Sequence, residues 1–155
     1  MRGRLAPLNR DPALVLCGHA PIPEMAIAPA LTVHGFMKKI LVVEDDEVER
    51  ELVRMTLERE GYCVVTAEDG ERGFAAALAE RPDLIVTDVS MPAADGVQLV
   101  RRVRSAPEVA ATPILVTTGF GTGNASYTLA QGADAYEPKP LDPDALRESV
   151  RRLLG

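Results

Sequence analysis

The chain has 155 residues, 46% of them hydrophobic and 26% charged, the balance of one globular domain rather than of a disordered or fibrous chain. A formal net charge of −6 and a pI of about 5.0 set its field against a polyanionic backbone, so direct nucleic-acid binding is not expected. Apolar runs such as Ile40 to Val43 and Ile114 to Val116 fall far short of the ~20 residues a membrane-spanning helix needs, and no membrane contact is expected.

Along the first 36 residues Pro7, Pro12, Pro21, Pro23 and Pro29 recur every few positions, and no helical or strand period survives between them. Arg2 and Arg4 precede a short apolar stretch, Ala13 to Cys17, but it is too short and too broken by proline for a secretory signal. Met37-Lys-Lys then leads straight into a hydrophobic strand. The expectation is a domain over residues 37–155, with residues 1–36 either a disordered extension or the product of a misassigned start. His19 and His34 are isolated and read as solvated bystanders. Cys17 and Cys63 lack the paired spacing of a zinc or redox site and read as reduced thiols of a cytoplasmic protein.

From Met37 onward the pattern is regular. Ile40 to Val43, Cys63 to Thr66, Leu84 to Thr87 and Ile114 to Thr118 are short, β-branched-rich runs without polar alternation, as in parallel strands covered on both faces. A fifth, weaker run surrounds Ala135 and Tyr136. Between the runs lie stretches with helical spacing: Val48, Leu52 and Met55; Phe74 and Leu78; Val97, Val100 and Val103; the segment around Leu129; and finally Leu146, Val150 and Leu153. Each set reads as the apolar face of an amphipathic helix. Gly61 and Gly132 follow two of these stretches where a helix end favours a left-handed residue. Five β-α units result, and right-handed crossovers between them predict an open, doubly wound α/β sheet with helices on both faces.

Ligands of such sheets sit beyond the carboxyl ends of the strands. Strand one ends in Glu44-Asp45-Asp46 and strand three in Asp88, so carboxylates from distant parts of the chain converge at one edge. Two like charges ~4 Å apart cost about 4 kcal/mol at an effective dielectric near 20, which favours a bound cation or a bound proton. Mg²⁺ is the economical cation, since it accepts two or three protein oxygens, keeps its waters and bridges to phosphate. Strand four ends in Thr118, and Lys139-Pro140 follows strand five, adding a hydroxyl and an ammonium. Taken singly, each has a bland reading: helix-cap acids, a turn aspartate, a β-propensity threonine, a solvated lysine. Together at the ends of four strands of one sheet they supply a nucleophile, a metal site, a donor and a cation, the parts for phosphoryl transfer.

Residues 37–155 resemble the response-regulator receiver domain over its full length. The motifs are Lys39-Ile-Leu-Val-Val-Glu-Asp-Asp46, Asp83-Leu-Ile-Val-Thr-Asp-Val-Ser-Met-Pro92 with Asp95-Gly96, Pro113-Ile-Leu-Val-Thr-Thr-Gly119, and Gly132-Ala-Asp-Ala-Tyr-Glu-Pro-Lys-Pro140. The resemblance implies a flavodoxin-like sheet of strand order 2-1-3-4-5, Asp88 as phosphoacceptor, and Glu44 and Asp45 as the acidic pair. It implies Mg²⁺ on Asp45, Asp88 and the Ser90 backbone carbonyl, with Thr118 as the switch hydroxyl, Lys139 as the phosphate-contacting lysine and Tyr136 as the rotating aromatic. A cis Lys139-Pro140 bond is also implied. Ser90 and Phe120 occupy the two positions that tune phosphoryl lifetime in this family.

The implied function is a phosphoacceptor switch rather than an enzyme acting on an external substrate. Its phosphodonor would be a sensor histidine kinase or histidine phosphotransfer protein, and a downstream protein would read the face of helix four, strand five and helix five. With no output segment after Leu154, the expectation is a stand-alone regulator. A haloacid-dehalogenase-type phosphatase would need a second acid two residues after Asp88, where Ser90 stands. A degenerate receiver would lack an acid, the threonine or the lysine, and all are present.

Overall fold

The computed structural model describes residues 37–92, 96–119 and 121–155. The expectation for residues 1–36 therefore lies outside the described residues, as do Asp95 and Phe120. Strands and helices alternate: β1 (Lys39–Val43), α1 (Glu47–Arg59), β2 (Cys63–Ala67), α2 (Gly70–Glu80), β3 (Leu84–Asp88), α3 (Gly96–Ser105), β4 (Ile114–Thr118), α4 (Gly121–Ala130), β5 (Ala135–Pro138) and α5 (Pro143–Leu154). The five strands pair in parallel in the order β2-β1-β3-β4-β5, as expected.

Alternate residues of each strand face opposite layers. Leu41, Val43, Ile85, Ile114 and Val116 pack with Ala77 of α2 and with Leu99, Val100 and Val103 of α3. Ile40, Val42, Leu84, Val86 and Leu115 point the other way, against Val53 and Leu57 of α1 and Leu146 and Val150 of α5. The runs lack polar alternation because both faces are covered.

Helix starts are fixed locally. The carboxylates of Asp46, Asp69 and Asp142 accept hydrogen bonds from the backbone N–H groups of Glu49 (2.9 Å), Arg72 (2.7 Å) and Asp144 (2.8 Å), capping α1, α2 and α5. Gly61 and Gly132 have φ of +91° and +113°, as the helix-end reading requires.

Two helix faces differ from the sequence reading. Val48, Leu52 and Met55 are 78%, 50% and 40% exposed, whereas α1 buries Val53, Thr56 and Leu57. Both stripes have helical spacing, and the closer approach of the Val53–Leu57 side to β1 and β2 decides between them. In α2 the buried residues are Gly70, Gly73 and Ala77, while Leu78 is exposed. A Cβ on Gly73 would come within 2.8 Å of Val43, so this helix lies too close to the sheet for large side chains. The exposed Leu129 likewise does not form the inward face of α4. Cys63 is buried at the start of β2, and Cys17 lies outside the described residues.

The reassigned face of α1 predicts that Leu57→Ala lowers stability by ~2–5 kcal/mol through lost burial and a residual cavity, while Leu52→Ala stays within about 0.5 kcal/mol. Urea denaturation of the two variants checks this.

Candidate functional site

The carboxyl ends of β1, β3 and β4 and the turn after β5 meet at one edge of the sheet. Asp88, the last residue of β3, is paired in register with Thr117 of β4, and the Val89 N–H continues that ladder to the Thr117 carbonyl at 3.0 Å. The Glu44 N–H bonds the Ala67 carbonyl at 3.1 Å, extending β1 along β2 by one residue. Backbone pairing thus fixes both acids before their side chains make any contact. One carboxylate oxygen from each of Glu44, Asp45 and Asp88 lies within 4.8 Å of the others. Glu44 and Asp88 are buried and Asp45 is exposed, so the cluster opens to solvent on one side.

Lys139 comes from the far side of the sheet. Its backbone N–H bonds the Thr118 carbonyl at 2.8 Å, and the Lys139-Pro140 peptide is cis. Its ammonium donates to Glu44 Oε2 at 2.9 Å and to Asp88 Oδ2 at 3.2 Å. Asp88 Oδ1 accepts from the Ser90 backbone N–H at 3.1 Å. Thr118 is buried at the end of β4, in register with Pro138 of β5. Tyr136 stands on β5 opposite Val116 and is 39% exposed. Of the residues singled out from the sequence, the structure joins Glu44, Asp45, Asp88, Ser90 and Lys139 directly and sets Thr118 next to Lys139 in the ladder.

Two participants escaped the sequence reading. Glu49, in the first turn of α1, accepts from the Lys139 ammonium at 2.5 Å. Arg50 donates to the backbone carbonyls of Glu44 (2.8 Å) and Asp45 (3.4 Å), holding the acidic turn from beneath. In sequence Glu49 looks like any acid near a helix N-terminus and Arg50 like a solvated charge, so neither carries a signal before the fold is known.

A family model described as response regulator receiver domain matches residues 40–151. The chain belongs to this family. The receiver is 40% identical over 118 residues to the alkaline phosphatase synthesis transcriptional regulatory protein PhoP of Bacillus subtilis, covering 76% of this chain and 48% of that one. It therefore spans about half the length of the curated relatives it matches. Among solved structures it resembles the chemotaxis protein CheY4 of Vibrio cholerae, with a TM-score of 0.73 and 36% identity over 77% of this chain and all of that one. The receiver domain of sensor histidine kinase PA1611 from Pseudomonas aeruginosa, solved with a magnesium ion in its active-site cleft, matches with a TM-score of 0.72 and 28% identity, covering 77% of this chain and 99% of that one.

The donor set of the present receiver suits the same kind of ion. Three convergent carboxylates, one of them exposed, offer hard oxygen ligands and leave room for coordinated water. Burial pushes the Glu44 carboxyl up to about 7, against the hydrogen bonds from Lys139 and the Asp46 N–H, and the nearby Asp88 charge adds to the rise. Burial likewise opposes the charge on Lys139, but its hydrogen bonds to Glu49 and Glu44 and the Asp88 charge outweigh it and hold the ammonium above the ordinary lysine value. The two upward shifts are compatible because one ammonium is shared among three carboxylates, so none receives its full compensation.

A carboxyl whose pKa is higher in the folded than in the unfolded chain favours folding while protonated. The Glu44 contribution is present below its ordinary value of 4.5 and is lost as pH rises through about 7. In metal-free protein, stability should fall by about 1–3 kcal/mol across that window on this account, and Glu44→Gln should flatten the slope. Thermal melts at stepped pH measure both.

Gly96, where α3 begins, donates its N–H to the Val89 carbonyl at 2.9 Å. A Cβ there would lie 1.9 Å from the Asp88 carbonyl oxygen, so any side chain must displace the backbone that carries Asp88. Gly96→Ala should cost about 1–3 kcal/mol and weaken Mg²⁺ binding together, read by urea denaturation and calorimetric titration.

Proposed function

We propose that residues 37–155 form a phosphoacceptor switch in which Asp88 receives a phosphoryl group in a Mg²⁺-dependent reaction. The observation that carries this reading is the Lys139 ammonium 3.2 Å from Asp88 Oδ2, inside a cluster whose three carboxylates converge within 4.8 Å. Asp45, Asp88 and the Ser90 backbone carbonyl are the proposed metal ligands, and Glu44 completes the acidic pair. When bound, Mg²⁺ supplies charge neutralisation for the acids and for the transferring phosphoryl oxygens.

In the proposed step an Asp88 carboxylate oxygen forms the new O–P bond as the P–N bond of a phosphohistidine donor breaks, and the imidazole leaves with the bonding electron pair. The Ser90 N–H holds the other Asp88 oxygen in place. Lys139 stands where it can pass from the Asp88 carboxylate to a phosphoryl oxygen, and Thr118 supplies the hydroxyl that follows it. A donor of the sensor histidine kinase or histidine phosphotransfer class fits this chemistry, and a cytoplasmic location is the setting that such a donor supports. Movement of Thr118 towards the phosphoryl group would free space for Tyr136 to turn, reshaping the face of α4, β5 and α5 that an output protein reads. The energy needed is modest: reversing a 1:99 equilibrium takes about 5.5 kcal/mol, within reach of a few charge-assisted hydrogen bonds. The net charge of −6 supports a domain that does not itself bind nucleic acid.

Incubation with acetyl phosphate and Mg²⁺, followed by intact-mass measurement, tests the reading. Wild type and a variant starting at Met37 should each gain one phosphoryl group, whereas Asp88→Asn and folded Asp45→Ala should gain none. Full modification of Asp88→Asn would remove Asp88 from its assigned role. Thr118→Ala should accept the group yet show a weakened Tyr136 chemical-shift response to beryllofluoride, and Lys139→Ala should lose more of that response.

A further inference from the structure

We propose that Glu49 is an inhibitory counter-ion that competes for Lys139 and so sets how tightly this site takes a phosphoryl group. The proposal rests on the reading of Asp88 as phosphoacceptor. A lysine ammonium has three N–H donors and no acceptor. In Lys139 carboxylates receive all three: Glu49 Oε2 at 2.5 Å, Glu44 Oε2 at 2.9 Å and Asp88 Oδ2 at 3.2 Å. The shortest of these bonds goes to the acid outside the convergent cluster.

Glu49 differs from the other two in its surroundings. Its side chain is 45% exposed, against 5% for Glu44 and 8% for Asp88. Its carboxylate is therefore held near Asp88 by the ammonium rather than by burial. The two acceptor oxygens are no farther apart than the bonds of 2.5 Å and 3.2 Å laid end to end, well inside a Debye length of ~8 Å.

Phosphorylation changes the demand on that ammonium. A phosphoryl group carries about −1.5 to −2 charges at neutral pH, with oxygens that accept hydrogen bonds. Any donor that Lys139 keeps on Glu49 is withheld from those oxygens, and the Glu49 charge repels them as well. Both effects act in one direction. The backbone N–H of Glu49, not its side chain, serves the Asp46 cap, so neutralising the carboxylate leaves the start of α1 intact.

The test is calorimetric titration of beryllofluoride, an analogue of the aspartyl phosphoryl group, at saturating Mg²⁺. Four proteins are compared: wild type, Glu49→Gln, Glu49→Asp and Glu51→Gln, the last altering an exposed acid on the same helix that pairs with Arg54. Glu49→Gln should bind about ten-fold tighter at low salt, and the gain should shrink at about 0.5 M NaCl as the exposed charge is screened. Glu49→Asp and Glu51→Gln should stay within about three-fold of wild type. With Mg²⁺ alone, Glu49→Gln should bind no tighter than wild type.

Unchanged or weaker beryllofluoride binding by Glu49→Gln overturns the proposal, because Glu49 would then only prop Lys139 in place. So does a gain that survives high salt, or one matched by Glu51→Gln or by Mg²⁺ alone. Failure of wild type itself to bind beryllofluoride overturns instead the phosphoacceptor reading on which the proposal stands.

Discussion

One ammonium holds together an edge that would otherwise repel itself. Glu44 and Asp88 are buried side by side with Asp45 next to them, and burial, with the Asp88 charge adding to it, lifts the Glu44 carboxyl to about 7 against its hydrogen bonds. Lys139 answers this from 95 residues along the chain from Glu44 and 51 from Asp88. The compensation exists only once the sheet has closed from β1 through β3 and β4 to β5, so the ion pairing of the acidic edge depends on the complete strand order. Breaking such a partly buried cluster by removing the cation would leave charge uncompensated in a poorly solvated place.

The hydrophobic layers make that closure possible. Strands buried on both faces leave the sheet rigid, and the polar chemistry is confined to the strand ends, where loops can reach water. Close helix approach is part of the same arrangement. Gly73 lets α2 lie against Val43, one residue before Glu44, and Gly96 lets α3 begin against the Asp88 backbone. These two glycines have no chemistry of their own, yet they fix the position of the backbone that carries the acids.

The site is also asymmetric about Asp88. Glu44 and Asp45 lie on the β1 side, together with Glu49 and Arg50 of α1, while Thr118 ends β4, Tyr136 lies on β5 and Lys139 follows it. On the proposed reading, charge arriving at Asp88 would be repelled by the carboxylates on one side and met by the hydroxyl of Thr118 and the ammonium of Lys139 on the other. A switch needs both, since a site that only attracted anions would be occupied without discrimination, and differential stabilisation is what moves a two-state equilibrium.

Sequence alone determined the alternation of strands and helices, the doubly wound sheet, and the convergence of Glu44, Asp45, Asp88, Thr118 and Lys139 on one edge. It could do so because strand-end position is a local property: an unbroken apolar run stops where the polar residue begins. The inward faces of α1 and α2 were decided by tertiary packing. Two stripes on α1 had the same helical period, and on α2 the sheet lies so close that Gly73 and Ala77 are the buried residues, while Phe74 packs against the core only partly buried and Leu78 is exposed. The bond from Glu49 to Lys139 was likewise invisible, because it joins residues 90 positions apart, and nothing local distinguishes that acid from any other near a helix N-terminus. Periodicity reports which residues share a side of an element; only the packed chain decides which side meets the core and which charges meet each other.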